Sequence, residues 1–300
     1  MPESQVIVLT GRPGANAIDD VALAALRDSF PGPFGREEWL ASGDAWQAVA
    51  PAGESVVVRA TAVAALARHP IDVNMVPSGP FRRKRLLVAD MESTIIQQEC
   101  LDELAAFAGV QEQISGITAR AMRGEFDFEA ALKERVGLLK GLDANLLQRV
   151  YDHVTLMPGA ATLVATMRAH GATCALVSGG FTFFTERIAA RLGFNLHRAN
   201  TLEITNGRLA GTVGLPILGR EAKLHTLQEL ARDGRLQPAE TLAVGDGAND
   251  LAMVQAAGLG VAFRAKPILK ERAAASIVHG DLTALLYLQG YRREDFAPTL

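Results

Sequence analysis

The chain reads first as short apolar runs alternating with longer amphipathic stretches. Leu86-Leu87-Val88-Ala89 is uninterrupted and apolar, the signature of a strand buried on both faces of a parallel sheet. Similar runs recur at 173–177, 241–244, 260–263 and 276–278. Between them, segments 160–170, 181–192, 221–231 and 250–257 carry helical periodicity. This order predicts an α/β fold built on a parallel sheet. Asn206-Gly207, flanked by 201–204 and 209–213, predicts a hairpin.

Two stretches break the alternation. Helical patterns fill roughly 97–157 directly after the first strand, including a helix from Asp127 to Leu139. Such an insert is expected to sit above the sheet edge as a lid. Residues 1–80 form the other exception. Val6–Leu9, 45–49, 55–59 and 71–75 read as extended, and 17–30 and 61–68 as helices. That order, about βαββαβ, predicts a small ferredoxin-like unit. Ser78-Gly79-Pro80 reads as a linker to a main unit spanning 84–300.

Composition narrows the function classes. Net charge is -3, and the one basic cluster, Arg82-Arg83-Lys84-Arg85, abuts a strand and reads as a solvated lead-in. Neither nucleic acid nor an anionic membrane is expected as a partner. The two cysteines, Cys100 and Cys174, lie in apolar surroundings and read as buried free thiols of a reducing compartment. With no signal-peptide pattern and no apolar run near the ~18 residues of a membrane span, the cytoplasm is the expected location.

The chemistry lies at the ends of the apolar runs. Asp90-Met91-Glu92-Ser93-Thr94 follows the first. Val177-Ser178-Gly179-Gly180 closes the second, and Gly245-Asp246-Gly247-Ala248-Asn249-Asp250 follows a third. Strand ends of an open α/β sheet are where ligands bind. A carboxylate such as Asp90 can attack phosphorus and form an acyl-phosphate. A phosphate dianion repels that nucleophile unless a cation intervenes, and Mg²⁺ takes oxygen ligands of the kind Asp246 and Asp250 offer. Ser178 and its glycines suit phosphate at a helix N-terminus, although an ordinary cap would use serine too. Lys223, at a helix start, could neutralise the transferring group.

In this order the motifs resemble the haloacid dehalogenase superfamily of phosphatases, whose pattern is Asp-x-Asp-x-Thr, then Ser, Lys and Gly-Asp-x-x-x-Asp. The resemblance covers about 84–285. It implies a Rossmannoid three-layer α/β fold with a small helical cap at about 97–157, preceded by an ACT-like regulatory or dimerisation domain at 1–80. The cap is similar to that of the superfamily's phosphoserine phosphatases, through Glu99, Arg120-Ala121-Met122-Arg123-Gly124 and the Phe128–Arg135 stretch.

That resemblance implies roles. Asp90 is the expected nucleophile, and Thr94 a residue that orders the loop. Asp90, the Glu92 backbone carbonyl and Asp246 are the expected Mg²⁺ ligands, with Asp250 in support. Ser178, Gly179 and Lys223 are expected to hold phosphate, and Asn249 to bind substrate. Glu99 would meet a substrate ammonium and Arg135 its carboxylate, a match of fork to carboxylate. Met122 and Phe128 would close an apolar lid. The implied reaction is hydrolysis of O-phospho-L-serine, the last step of L-serine biosynthesis, by a cytoplasmic enzyme with a small phosphomonoester as its partner and a homodimer as its possible assembly. Homoserine phosphate or phosphothreonine as substrate, and a weakened amino-acid-sensing pseudo-phosphatase, are the alternatives.

One position departs from the pattern. Glu92 stands where the family has Asp as acid and base. Glutamate performs the same proton chemistry, with an ordinary pKa of about 4.3. Its extra methylene requires the carboxylate to fold back or to approach from another direction.

Overall fold

A computed structural model describes residues 4–299 except 123, 124 and 126. The N-terminal part runs β1 (Gln5–Thr10), α1 (Asp20–Asp28), β2 (Glu37–Ala41), β3 (Ala45–Val49), α2 (Ser55–Ala65) and β4 (Asp72–Pro77). Its sheet is antiparallel, in the order β2-β3-β1-β4. Ile7, Leu9, Leu26, Trp46 and Leu66 form a core of its own beneath the two helices.

The expected βαββαβ order holds, but through different segments. Residues 55–59, expected as a strand, are the first turns of α2. Three consecutive valines favour a strand locally. Burial at Val58, Ala62 and Leu66, spaced by four, fits one helix face and decides the outcome. The missing strand is β2, whose Glu37-Glu38 start carries no apolar alternation.

The second sheet begins with β5 (Leu86–Ala89). The insert then folds as α3 (Cys100–Ala108), α4 (Gln111–Met122), α5 (Phe128–Gly137) and α6 (Asn145–Asp152). Asp127 caps α5 by accepting the Ala130 N–H at 2.8 Å. The chain continues through α7 (Ala160–Ala169), β6 (Thr173–Phe181), α8 (Thr182–Leu192) and β7 (Leu196–Asn200). A hairpin, β8 (Leu202–Thr205) and β9 (Arg208–Val213), turns at Asn206-Gly207, both at positive φ. Then come α9 (Glu221–Asp233), β10 (Thr241–Gly245), α10 (Leu251–Ala256), β11 (Leu259–Phe263), α11 (Pro267–Lys270), β12 (Ala275–Ile277) and α12 (Ala284–Leu288).

Six strands make one parallel sheet in the order β12-β11-β10-β5-β6-β7. Helices cover both faces, as an all-parallel sheet requires. β5 and β10 are central neighbours, and β5 also pairs with β6. Asp90, Asp246 and Ser178 are therefore delivered side by side. The β8–β9 hairpin supports the cap through Gly141 N–H to Leu209 O and Leu209 N–H to Leu142 O, at 2.8 and 2.9 Å.

One further sequence reading changes. The basic cluster is solvated only at Arg83 and Arg85: Lys84 is buried, its Nζ 2.6 Å from both Phe81 O and Ala239 O, and Arg82 donates to Gln47 and the Leu288 carbonyl. These groups tie the linker to the sheet. Both cysteines are buried and free, as expected, and burial pushes the Cys174 thiol up to about 12. No described helix is long and apolar enough to cross a membrane.

The N-terminal sheet docks on the far edge of the parallel sheet. The Asn74 side-chain amide accepts Ser276 N–H at 2.8 Å and donates to Ser276 O at 3.1 Å. The Asp72 carboxylate gathers the N–H groups of Val278, His279 and Gly280 at 2.8–3.2 Å.

Candidate active site

The site grows from the C-terminal ends of β5, β6 and β10. Asp90 follows the last residue of β5, and its N–H donates to Val244 O of β10 at 3.0 Å. Its side chain is buried. Oδ1 accepts the Met91 N–H at 2.8 Å and lies 2.7 Å from Lys223 Nζ. Oδ2 takes no hydrogen bond among the described residues. Burial, reinforced by Asp250, holds the Asp90 carboxyl well above the usual carboxylate range, against the pull of Lys223.

Lys223, the third residue of α9, reaches between two acids: Nζ is also 2.5 Å from Asp250 Oδ1. Burial works against this ammonium, but Asp90 and Asp250 outweigh it and raise its pKa. Asp250 Oδ2 accepts the N–H groups of Asp246 and Gly247 at 3.2 and 3.0 Å. Both Asp250 oxygens are thus committed to the scaffold. Asp246 is half-buried, and Lys266 Nζ is 3.9 Å from its Oδ2. Burial and then Asp250 push its pKa up to about 6. Oxygens of Asp90, Asp246 and Asp250 lie within 4.8 Å of one another. Asp90 and Asp246, both raised by burial and by the neighbouring charge of Asp250, offer hard oxygen donors of the kind that suit a divalent cation.

Glu92 answers the question its length posed. Oε1 accepts the Cys100 N–H at 2.7 Å, the first residue of α3 and hence of the cap. Oε2 faces Ser178 Oγ at 3.5 Å. The carboxyl thus bridges cap helix and β6. Burial and then Glu99 push its pKa up to about 7. A Cβ at Gly180 would stand 2.9 Å from Glu92 Oε2, so any larger residue there would displace this carboxyl. Ser93, at φ +53°, donates to Glu99 Oε1 at 2.7 Å. Thr94 is buried, but its hydroxyl has no described partner, so any ordering it gives comes through the backbone.

Ser178 is not at a helix N-terminus. β6 continues to Phe181, and Phe181 is the residue that caps α8. Ser178 Oγ instead accepts the Gly180 N–H at 2.9 Å and lies in a small strand-end turn. Phe128, Ser178, Gly179, Arg220, Lys223 and Asn249 line one cleft of ≈ 10 Å³, about one water. The Phe128 ring covers Gly179, where a Cβ would meet Cζ at 3.3 Å. The cap is therefore closed on the strand ends.

Arg135 is half-buried on α5, its Nε donating to Ala131 O at 3.2 Å. Burial lowers its pKa, opposed by the nearby charges of Asp102, Glu92 and Glu99. Glu99 is exposed beside it. Of the expected site residues, Met122 alone has a side chain outside the described residues.

Sequence reasoning missed Asn200. It is buried at the end of β7, a strand that carries no clear alternation in Leu-His-Arg-Ala-Asn. Its Nδ2 donates to Gly179 O at 2.9 Å, and its Oδ1 accepts Leu218 N–H at 2.7 Å.

Comparison with known proteins agrees with this geometry. The profile of the haloacid dehalogenase-like hydrolases matches residues 87–255. A phosphoserine phosphatase of Streptomyces coelicolor is 45% identical over 237 residues, 79% of this chain and 57% of the relative. The phosphoserine phosphatase SerB2 of Mycobacterium tuberculosis is 40% identical over 296 residues, 97% of this chain and 72% of the relative. The crystal structure of a probable phosphoserine phosphatase from Vibrio cholerae, in unliganded form, superposes with a TM-score of 0.80 at 34% identity, covering 97% of this chain and 88% of that one. The chain belongs to the haloacid dehalogenase-like hydrolases. It spans less than two thirds of the length of the Streptomyces relative.

Proposed function

We propose that the protein hydrolyses O-phospho-L-serine to L-serine and phosphate through a phospho-aspartyl intermediate on Asp90, with Mg²⁺ as cofactor. The observation that carries this reading is a cleft lined by Ser178 and Lys223 and roofed by Phe128, with Asp90 Oδ1 held 2.7 Å from Lys223 Nζ. The names of the relatives point the same way.

The residues divide the work. Asp90 Oδ1 is held by Lys223 and the Met91 N–H, which leaves the Oδ2 lone pairs for attack on phosphorus. A bond forms from Oδ2 to phosphorus as the bond to the serine oxygen breaks. Glu92, with a pKa near neutrality, gives that oxygen a proton and then takes one from the water that cleaves the acyl-phosphate. Ser178, the Gly179 backbone, Asn249 and Lys223 grip the phosphoryl oxygens. Glu99 pairs with the substrate ammonium and Arg135 with its carboxylate. Phe128 excludes water once the cap is down. Asp90, the Glu92 carbonyl and Asp246 would hold Mg²⁺, with Asp250 orienting the loop. The ion, when bound, would offset negative charge as it builds on the phosphoryl group.

Residues 1–80 are proposed as an ACT-like unit attached to a phosphatase unit at 84–300, its own core supporting that division. A cytoplasmic enzyme is expected.

Phosphate release from L-phosphoserine, phosphothreonine and an aryl phosphate, each with Mg²⁺ and then with EDTA, tests the reading. Metal-dependent preference for phosphoserine supports it. Equal rates on all three would remove the serine assignment, and no release from any would remove the phosphatase.

A further inference from the structure

β7 is the edge strand of the parallel sheet next to β6, and the β8–β9 hairpin separates it in sequence from the loop that leads into α9. Two structures that grip phosphate under the reading above therefore come from distant segments. Ser178 and Gly179 lie in the last turn-like residues of β6, and Lys223 sits on α9. Their spacing needs a tie that regular sheet pairing does not supply, because β6 and β7 lose register between Val177 and Phe181.

Asn200 stands where pairing resumes, opposite Phe181. Its Nδ2 donates to Gly179 O at 2.9 Å, with a second contact to Leu218 O at 3.4 Å. Its Oδ1 accepts Leu218 N–H at 2.7 Å. One buried amide thus satisfies backbone groups of both segments. Gly219, Arg220, Ala222 and Lys223 follow Leu218 and line the cleft opposite Ser178 and Gly179. Arg198, two residues earlier and so on the same side of β7, clamps α9 itself, with Nη1 and Nη2 2.8 and 2.6 Å from the Glu229 oxygens. The edge of β7 thereby fixes the rotation of α9 through Arg198 and its approach to β6 through Asn200.

We infer that Asn200 is a positioning residue for phosphate: it sets the distance between the Ser178–Gly179 turn and the loop that delivers Lys223. It touches neither substrate nor reacting atoms, and it acts on the phosphoryl end of the site without contact to the cap residues Glu99 and Arg135. The inference rests on the phosphate-grip part of the proposed function and is indifferent to the identity of the alcohol.

The test uses the full chain and inorganic phosphate as probe. Asn200→Ala and Asn200→Ser remove the amide, and Thr201→Val alters the same strand end without touching Gly179 or Leu218. Inhibition of aryl phosphate hydrolysis by phosphate and, separately, by L-serine is measured, together with direct phosphate binding by calorimetry. Loss of the tie leaves buried backbone groups unpaired, so phosphate affinity is expected to fall about tenfold or more in both Asn200 variants. L-serine inhibition and the Thr201→Val protein are expected to match wild type. Unchanged phosphate affinity in a folded Asn200 variant, or equal weakening for phosphate and L-serine, overturns the inference. Should neither variant fold, amide exchange on the wild-type chain decides. Phosphate must then slow exchange at 218–220 and 179–180 together, and slowing at 179–180 alone counts against the tie. A wild-type chain that binds phosphate yet hydrolyses no phosphomonoester would sink the proposed reaction and leave this inference standing.

Discussion

Lys223 Nζ stands 2.7 Å from Asp90 Oδ1, in a setting so buried that each group determines whether the other can keep its charge. With Asp250 on the other side, one ammonium holds two carboxylates in place. Lys223→Met should therefore cost stability as well as activity. Removing one partner of a buried ionic set typically costs about 3–5 kcal/mol. Urea unfolding in EDTA near neutral pH should show a loss of that order, and turnover with Mg²⁺ should fall by more than about 100-fold. An unchanged unfolding midpoint would mean that the lysine is not the cation this cluster depends on.

Glu92→Gln keeps the shape of the bridge between Cys100 N–H and Ser178 but removes the proton. Turnover should drop by roughly 10²–10⁴-fold, the range for a lost general acid–base. Acid-quenched protein incubated with labelled phosphoserine should retain label on Asp90, because water is no longer activated. Turnover close to wild type would transfer the acid–base role away from this position.

The raised carboxyls fix the direction of a pH effect on stability. Glu92 titrates near 7 and Asp246 near 6 in the fold, both above their ordinary values. The folded state therefore binds more protons than the unfolded chain across the interval between those values. Stability from these groups is complete below the unfolded pKa values and is lost as pH rises through the folded ones. In EDTA, the urea midpoint should be higher near pH 5 than near pH 8. Mg²⁺ should recover much of the difference at the higher pH by binding the folded state alone. A midpoint that rises with pH under EDTA would contradict the burial argument.

Arg135→Ala addresses substrate choice. A charge-assisted hydrogen bond to a carboxylate is worth about 1.5–3 kcal/mol, or roughly 10–150-fold. KM for phosphoserine should rise by that factor while KM for an uncharged aryl phosphate stays close to wild type. Parallel increases for both substrates would show that Arg135 shapes the cap and does not read the carboxylate.

Much of this site was legible from the chain because its residues sit at discontinuities of pattern. Asp90, Ser178 and Asp246 each end an apolar run, and a run that ends in a carboxylate or hydroxyl places it at a sheet edge. Lys223 carried no such mark and was recovered only from its place in the motif order. Asn200 was invisible for a physical reason. β7 is half-exposed, lacks an apolar run, and works through a side chain that substitutes for missing backbone pairing. In the N-terminal unit, valines at 56–58 promote extension, but tertiary burial of one helical face overrides that preference. Lys84 was misread because charge alone does not reveal two carbonyls waiting at 2.6 Å.

The contact made by Asp72 and Asn74 has a consequence for how the chain stays apart from its neighbours. A parallel sheet ends in a strand whose outward N–H and C=O groups can recruit any passing strand. Here that end is β12, and Asn74 occupies the outward groups of Ser276 while Asp72 gathers the three N–H groups beyond it. The N-terminal sheet thus acts as a stopper on the growing edge. A chain cut to begin just before β5 would expose a ready template for strand addition, and its first defect would be self-association.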